Sequence, residues 1–308
     1  MRRTLNSAVN VTGIGLHGGQ TVCMTLEPAS AGQGIQFVRT DVAPDAAIIP
    51  ARYDLVTDTQ LCTRLSNAAG TSIGTVEHVM AALAGTGITD VTVAVDAPEV
   101  PILDGSSAPF VAAILDAGFR ELDAPVMAIR ILKQVRFDDG DKWAQLSPAS
   151  RFEMGFGIDF ADPAIGVQTH QMAMVNGAFV GELSDCRTFG QLTEVDYLRS
   201  LGLARGGSLK NAIVVDKGRV LNPEGLRRPD EFVRHKMLDA VGDLALAGAP
   251  ILGRYDGFKA GHGLTNKLLH RLFDTPDAWT FEMLQPGRAP GGRIRVPATV
   301  KSSEAVAV

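Results

Sequence analysis

The spacing of apolar residues predicts a group of short strands followed by helices. In the first 70 residues, apolar and polar positions alternate in four segments that Gly and Pro separate, which is typical of β-strands: VNVTGIGLH, QTVCMTLEP, GIQFVRTD and TQLCTRLSN. TVEHVMAALAGTG then shows helical spacing and ends at glycine, with Thr75 as its predicted N-cap. A strand, TDVTVAVDA, and a helix capped by a serine, SAPFVAAILDAGF, complete this half.

The order repeats after a predicted break at ELDAPVM, residues 121–127. The second half contains predicted strands and later two predicted helices: MAIRILKQVRF, KWAQLSPA, RFEMGFGIDF, QTHQMAMV and PILGRYDGFKAG, with FVRHKMLDAVGDLAL and LTNKLLHRLF. This order predicts two similar α+β domains, each a sheet packed with helices, rather than an alternating parallel fold. We expect a first domain at 1–122, a second at 123–285, and a poorly ordered tail at 286–308, where Gly, Pro and small residues dominate.

The helix predicted at residues 232–246 carries polar residues within an apolar pattern. His235, Asp239 and Asp243 recur every four residues and therefore share one face of the helix. Two carboxylates on a buried face repel each other, and a buried ionised carboxylate requires a partner. A divalent cation or a protonated histidine would relieve that repulsion, whereas a helix cap, a salt bridge or a solvated face would explain the spacing without a metal.

The metal interpretation needs a third ligand, because a catalytic zinc ion uses three protein ligands and water. His235 and Asp239, one helical turn apart, are able to reach the same ion. Among the six histidines, His78 is the best candidate for the third ligand, because Glu77 precedes it and would supply a general base beside the metal.

Composition restricts the class of protein. The net charge of −5 and a pI near 5.7 provide no basic surplus for nucleic acid. Three cysteines without a CxxC motif indicate a reducing compartment rather than a disulfide framework. The N-terminus has no apolar core typical of a signal peptide, and no stretch approaches the roughly 20 apolar residues of a membrane span. These features predict a cytoplasmic protein without stable membrane insertion.

Several longer segments resemble the signature segments of a known enzyme family. They are TVEHVMAALAGTGI, EVPILDGSSAPF, CRTFG, GGSLKNAIVVD, LNPEGLRRPDEFVRHKMLDAVGDLALAG and KAGHGLTNKLL. In this order, from about residue 3 to about residue 285, they resemble the UDP-3-O-acyl-N-acetylglucosamine deacetylases, the zinc amidases of lipid A biosynthesis. The resemblance implies hydrolysis of the N-acetyl group of a UDP-3-O-(3-hydroxyacyl)-N-acetylglucosamine, with release of acetate.

The resemblance also implies roles for residues at the metal. His78, His235 and Asp239 resemble the three ligands of one catalytic zinc ion, a set that would also suit Fe²⁺ in the cell. Glu77 resembles the general base, and His262, in AGHGLTNK, resembles the general acid.

Five further residues take supporting roles by the same resemblance. Asp243 would orient the general acid and favour its charged form. Thr188 would stabilise the oxyanion, a kind of contact worth about 3–4 kcal/mol. Lys236 would meet the substrate, Phe189 would form an apolar wall near the sugar, and Phe160 would pack against the uracil.

The family fold implies two similar domains with the active site between them and a small insert in each. The second insert would fall near residues 190–222 and form a passage for the acyl chain, although its apolar residues would equally pack a small core. The resemblance favours a monomer, and the pathway implies contact with the inner membrane of a Gram-negative bacterium. A zinc amidase for another acylated amine and a non-catalytic metal-binding scaffold remain alternatives.

Some residues have two interpretations. His17, in GIGLHGG, either lines the site or supports its loop, and Cys62 either approaches the metal or fills a small buried space. Asp104 is explained by an Asp-Gly turn. His170 and His270 are predicted to be surface or packing residues. The chain departs from the family pattern at Ser-Asp-Cys before RTFG and in the tail.

Overall fold

The computed structural model describes residues 1–175 and 177–284, so the predicted tail at 286–308 lies outside the described residues. The first half contains these elements: β1 (Arg2–Leu5), β2 (Val9–Ile14), β3 (Thr21–Pro28), β4 (Ile35–Arg39), β5 (Ile48–Pro50), β6 (Val56–Asp58), β7 (Arg64–Ser66), β8 (Ser72–Ile73), α1 (Glu77–Thr86), β9 (Val91–Val95), α2 (Ala108–Ala117) and β10 (Phe119–Leu122).

The second half contains more strands and the remaining helices. They are β11 (Met127–Ile131), β12 (Val135–Asp139), β13 (Lys142–Ser147), β14 (Glu153–Asp159), β15 (Val167–Ala173), α3 (Ala178–Glu182), β16 (Phe189–Gln191), α4 (Leu192–Ser200), β17 (Ile213–Asp216), β18 (Arg219–Val220), α5 (Glu231–Ala245), β19 (Ile251–Leu252), β20 (Arg254–Phe258), α6 (His262–Phe273) and β21 (Trp279–Met283).

The two halves each contain a five-stranded sheet of the same topology. The strand order is β2-β3-β9-β4-β5 in the first sheet and β12-β13-β20-β14-β15 in the second. In both sheets the third and fourth strands of that order are parallel to each other. The three remaining neighbouring pairs of each sheet are antiparallel. This confirms the predicted α+β class. The shared topology also supports our proposal of two similar domains divided near residue 122.

A smaller three-stranded sheet accompanies each large one. In the first half it is β6-β7-β8, and in the second it is β16-β17-β18, which falls within the predicted insert apart from its first residue. Helix α4 joins β16 to β17 and has no buried residue, so the insert presents Tyr197 and Leu201 to solvent. None of the helices in the described part of the chain is long and apolar enough to cross a membrane.

Helices α1 and α5 cross in close contact with each other. Gly242 of α5 permits this approach, because a Cβ at that position would lie 2.0 Å from the carbonyl oxygen of Glu77. Helix α5 has 15 residues and is buried on several sides. It is therefore a core element, as its apolar pattern predicts. The crossing brings the start of α1 against the middle of α5, where the candidate residues lie.

Two details of the helix starts differ from the sequence prediction. Thr75 was predicted as the N-cap of α1, but Val76 occupies that position, and Thr75 precedes it with a φ of 57°. The prediction is wrong because the Thr75 hydroxyl is engaged elsewhere, as a donor to Glu99 at 2.9 Å. Ser107 is the N-cap of α2 as predicted, yet its hydroxyl donates to the carbonyl of His78 at 2.8 Å rather than to its own helix.

Candidate active site

Three side chains that could hold a metal ion converge where α1 meets α5. His78 is the second residue of α1, and His235 and Asp239 lie one turn apart on α5. Their ligand atoms all lie within 4.8 Å of one another, and all three residues are buried. Asp239 Oδ1 lies 3.5 Å from His78 Nε2 and 3.3 Å from His235 Nε2. The predicted set of three is therefore a compact cluster.

The hydrogen bonds around this cluster leave its inner atoms free for a cation. Asp239 Oδ2 accepts a hydrogen bond from Lys236 Nζ at 2.7 Å, whereas buried Oδ1 has no hydrogen-bond partner among the described residues. His235 Nδ1 lies 3.1 Å from the carbonyl oxygen of Cys186, which makes Nδ1 the donor and leaves Nε2 without its proton. Burial lowers the pKa of His235 to about 3, so the ring is neutral, as a metal ligand must be. The residues fit a divalent ion.

The predicted acid–base residues lie beside the cluster. His262 is the first residue of α6, and its Nδ1 lies 2.8 Å from Asp243 Oδ2. Its other nitrogen, Nε2, lies 4.0 Å from Glu77 Oε1. Glu77 and His262 thus face each other across a short gap, with Asp243 behind the imidazole.

The pKa values of Glu77 and His262 are both raised, but by different causes. Burial raises the pKa of Glu77, against the attraction of His262, so its carboxylate is a stronger base than an exposed one. Burial opposes the charged form of His262, but the carboxylates of Asp243 and Glu77 outweigh it and raise the pKa to about 9. At neutral pH the imidazole of His262 is therefore protonated, and the Glu77 carboxyl beside it has a raised pKa.

One cavity of about 390 Å³ connects these residues. Nine of the ten residues that the family resemblance implied line it, and Asp243 lies behind His262 instead. Phe160 and Phe189 form one wall with their ring centroids 5.6 Å apart, and the rings of Phe189 and His235 meet edge to face with centroids 6.1 Å apart. Thr188 lines the same cavity, and its backbone N–H donates to Gly105 of the first half at 2.8 Å.

The structure also shows where the residues with two interpretations lie. His17 and Cys62 line the cavity, and within residues 1–175 and 177–284 neither ring nitrogen of His17 has a hydrogen-bond partner. Asp104 accepts from Ser106 within its turn and pairs with Arg227, which agrees with a turn role. His170 pairs with Asp230, and His270 packs edge-on against Tyr53.

The sequence did not indicate the roles of Thr63 and Arg187, two buried residues near the site. Thr63 donates hydrogen bonds to both Glu77 and Asp243. Arg187 is buried and pairs with Glu231 at the start of α5. Arg187 lies inside the CRTFG segment, so its motif marked the region, but no spacing rule connects Thr63 to partners so far along the chain.

Comparisons with known proteins agree on one family. The family described as LpxC: UDP-3-O-acyl N-acetylglycosamine deacetylase matches residues 2–274. The chain is 51% identical over 282 residues to a UDP-3-O-acyl-N-acetylglucosamine deacetylase from Pasteurella multocida and to one from Haemophilus influenzae. It is 50% identical over 282 residues to the protein of that name from Histophilus somni. Each comparison covers 91% of this chain and 92% of the relative.

Proposed function

Because this chain belongs to the UDP-3-O-acyl N-acetylglycosamine deacetylase family, a family of amide hydrolases, we propose that it is a zinc-dependent deacetylase. Its substrate is the UDP-3-O-[(3R)-3-hydroxyacyl]-N-acetylglucosamine of lipid A biosynthesis, and its products are acetate and the free 2-amino sugar. The observation that carries the proposal is the meeting, in one cavity, of the His78–His235–Asp239 cluster with Glu77 and the His262–Asp243 pair.

The three clustered residues would hold one divalent ion, for which we propose zinc, with Fe²⁺ as the alternative in the cell. When bound, such an ion supplies a Lewis acid that polarises the amide carbonyl and acidifies water. Lys236 holds the outer oxygen of Asp239 and thereby turns the unpartnered Oδ1 toward the two imidazoles. The Cys186 carbonyl holds His235 in the tautomer that ligation requires.

Proton transfer falls to the two groups that face each other across the gap. Glu77, a base strengthened by burial, removes a proton from the attacking water. His262, charged at neutral pH, stabilises the developing oxyanion and gives its proton to the leaving amine. The water oxygen first bonds to the carbonyl carbon and gives a tetrahedral oxyanion, whose C–N bond then breaks as the amine nitrogen takes the proton of His262. Water thus supplies one oxygen of acetate, and the proton held by Glu77 restores the charged His262.

The remaining predicted residues bind the substrate in this proposal. Thr188 donates its hydroxyl to the oxyanion, and its position is fixed by backbone bonds to Gly105 and Ile213. Lys236 meets the substrate, Phe189 forms the apolar wall near the sugar, and Phe160 packs against the uracil. The insert at 190–222 receives the acyl chain. We further propose that the protein acts as a monomer in the cytoplasm, at the inner membrane of a Gram-negative bacterium.

Acetate release from the UDP-linked acyl-GlcNAc tests this proposal. The purified protein is assayed untreated, after chelation, and after addition of about one equivalent of zinc, beside Glu77→Gln and the exposed control Glu27→Gln. We expect chelation to abolish activity, zinc to restore it, and only Glu77→Gln to remain nearly inactive. Substrates without UDP or without the acyl chain distinguish this enzyme from a general zinc amidase. A folded, zinc-loaded protein that releases no acetate would disprove the proposed function.

A further inference from the structure

Thr63 bonds both to Glu77, the proposed base, and to Asp243, which supports His262. Its backbone N–H donates to Glu77 Oε2 at 3.0 Å, and its hydroxyl donates to Asp243 Oδ1 at 2.5 Å. Its carbonyl accepts from the N–H of Val76 at 3.4 Å. Every polar group of this buried residue is therefore directed at the start of α1 or at α5.

These bonds fix which oxygen each carboxylate presents. Glu77 Oε2 is occupied by the Thr63 N–H, which leaves Oε1 toward His262 Nε2. Asp243 Oδ1 accepts from the Thr63 hydroxyl and Oδ2 lies 2.8 Å from His262 Nδ1, so the Thr63 bond fixes which oxygen faces the imidazole. The relative placement of the general base and the general acid thus depends on one residue.

We propose that Thr63 is a positioning residue that sets the distance and orientation between Glu77 and His262; this inference rests on the proposed function. Thr63 is 2% exposed and does not appear among the residues that line the cavity, so it acts through its two partners and not on substrate. A small displacement of a catalytic group lowers the rate of the chemical step strongly, because the reacting atoms must be held at the right distance and angle.

The side-chain type is suited to this task. A β-branched residue has a restricted χ1, which directs the hydroxyl at a single acceptor. Valine would keep the shape and the backbone bonds but leave Asp243 Oδ1 buried without its donor. Serine would keep the donor with more rotational freedom, so its effect should be small.

The test compares three substitutions at this position in the full-length, zinc-loaded enzyme. We expect Thr63→Val and Thr63→Ala to lower kcat by about 10- to 100-fold, the range for losing a hydrogen bond to a charged group. KM and bound zinc should stay near the wild-type values, because neither the metal ligands nor the cavity wall is touched. Thr63→Ser should retain most of the activity. Thr63→Ala places no methyl group against the Asp243 carboxylate. If Thr63→Val folds poorly, the alanine variant is compared with the serine variant instead.

A double-mutant cycle separates positioning from simple loss of stability. If Thr63 acts through Asp243, Thr63→Ala should have little further effect on kcat in an Asp243→Ala background. Equal kcat values for the serine and alanine variants, or additive losses in the cycle, would overturn the inference. A wild-type enzyme without acetate release would instead contradict the proposed function, so the two failures are distinguishable.

Discussion

The α-carbon of Gly242 lies so close to the backbone of Glu77 that a Cβ on it would meet the Glu77 carbonyl oxygen at 2.0 Å. This contact sets the separation of α1 and α5, and with it the separation of His78 from His235 and Asp239. The active-site geometry therefore depends on a residue that has no side chain.

Gly242→Ala should force the two helices apart. We expect an unfolding free energy lower by about 1–3 kcal/mol, the usual cost of overpacking, together with weaker zinc binding and lost activity. Urea unfolding and zinc titration measure both effects. Gly181→Ala is the matched control, because Gly181 also lies in a helix and its added Cβ meets no atom of the described part of the chain within 4 Å. Normal zinc affinity in Gly242→Ala would refute the dependence on this contact.

Zinc should stabilise the wild-type protein through the Asp239 carboxylate. At free zinc one hundred times the dissociation constant, binding should add about 2.7 kcal/mol to the unfolding free energy. Asp239→Asn removes the charge from the cluster, so we expect little stabilisation at the same free zinc concentration. Thermal unfolding with and without zinc measures this, and the exposed Asp116→Asn serves as the control. An equal zinc-induced shift in Asp239→Asn would remove that residue from the ligand set.

The His262–Asp243 pair should make the stability of the metal-free protein depend on pH. The folded-state pKa of His262, about 9, lies above its ordinary value of 6.5, so the folded state holds the proton to higher pH. The stabilisation is therefore complete below about pH 6.5 and is lost as the pH rises through about 9. The difference in unfolding free energy between wild type and His262→Gln should shrink over that window, as measured by urea unfolding. A difference that stays constant from pH 6 to 10 would contradict the assigned charge state.

Arg187 and Glu231 form a buried ion pair next to the candidate site. Arg187 Nε lies 2.9 Å from Glu231 Oε1, and both side chains are almost fully buried. Arg187→Met would leave Glu231 as an uncompensated buried charge, at a cost of about 3–5 kcal/mol. Arg151→Met, which breaks the largely exposed pair with Glu153, should cost about 0–1 kcal/mol. Urea unfolding of both variants measures the contrast, and equal small losses would show that the buried pair is not needed for stability.

Periodicity predicted α5 and the shared face of His235, Asp239 and Asp243, because helical spacing is a local property of the sequence. The adjacency of Glu77 and His78 indicated the third ligand, and the family resemblance implied the rest of the site. The short strand β1 was not predicted, because its polar sequence RRTL has no alternation and it exists through pairing with the distant strand β10.

Contacts between remote segments explain what else the sequence did not show. Thr63 and Asp243 are 180 positions apart, so no local pattern connects their hydrogen bond. Thr75 reads as a helix cap, yet its hydroxyl bonds to Glu99 instead. Glycine has a low helix propensity, so the sequence gives no reason for Gly242 in the middle of a helix. The contact with α1 explains why a glycine is needed there.

We propose that this site hydrolyses the N-acetyl amide and leaves the 3-O-acyl ester intact. Mass spectrometry of the products formed in ¹⁸O-water tests it most directly, with zinc-loaded wild type beside Glu77→Gln. We predict acetate carrying one ¹⁸O, a UDP-sugar that keeps its acyl chain and gains a free amine, and almost no product from Glu77→Gln. Appearance of ¹⁸O in a released hydroxy fatty acid, or equal turnover by Glu77→Gln, would contradict the account.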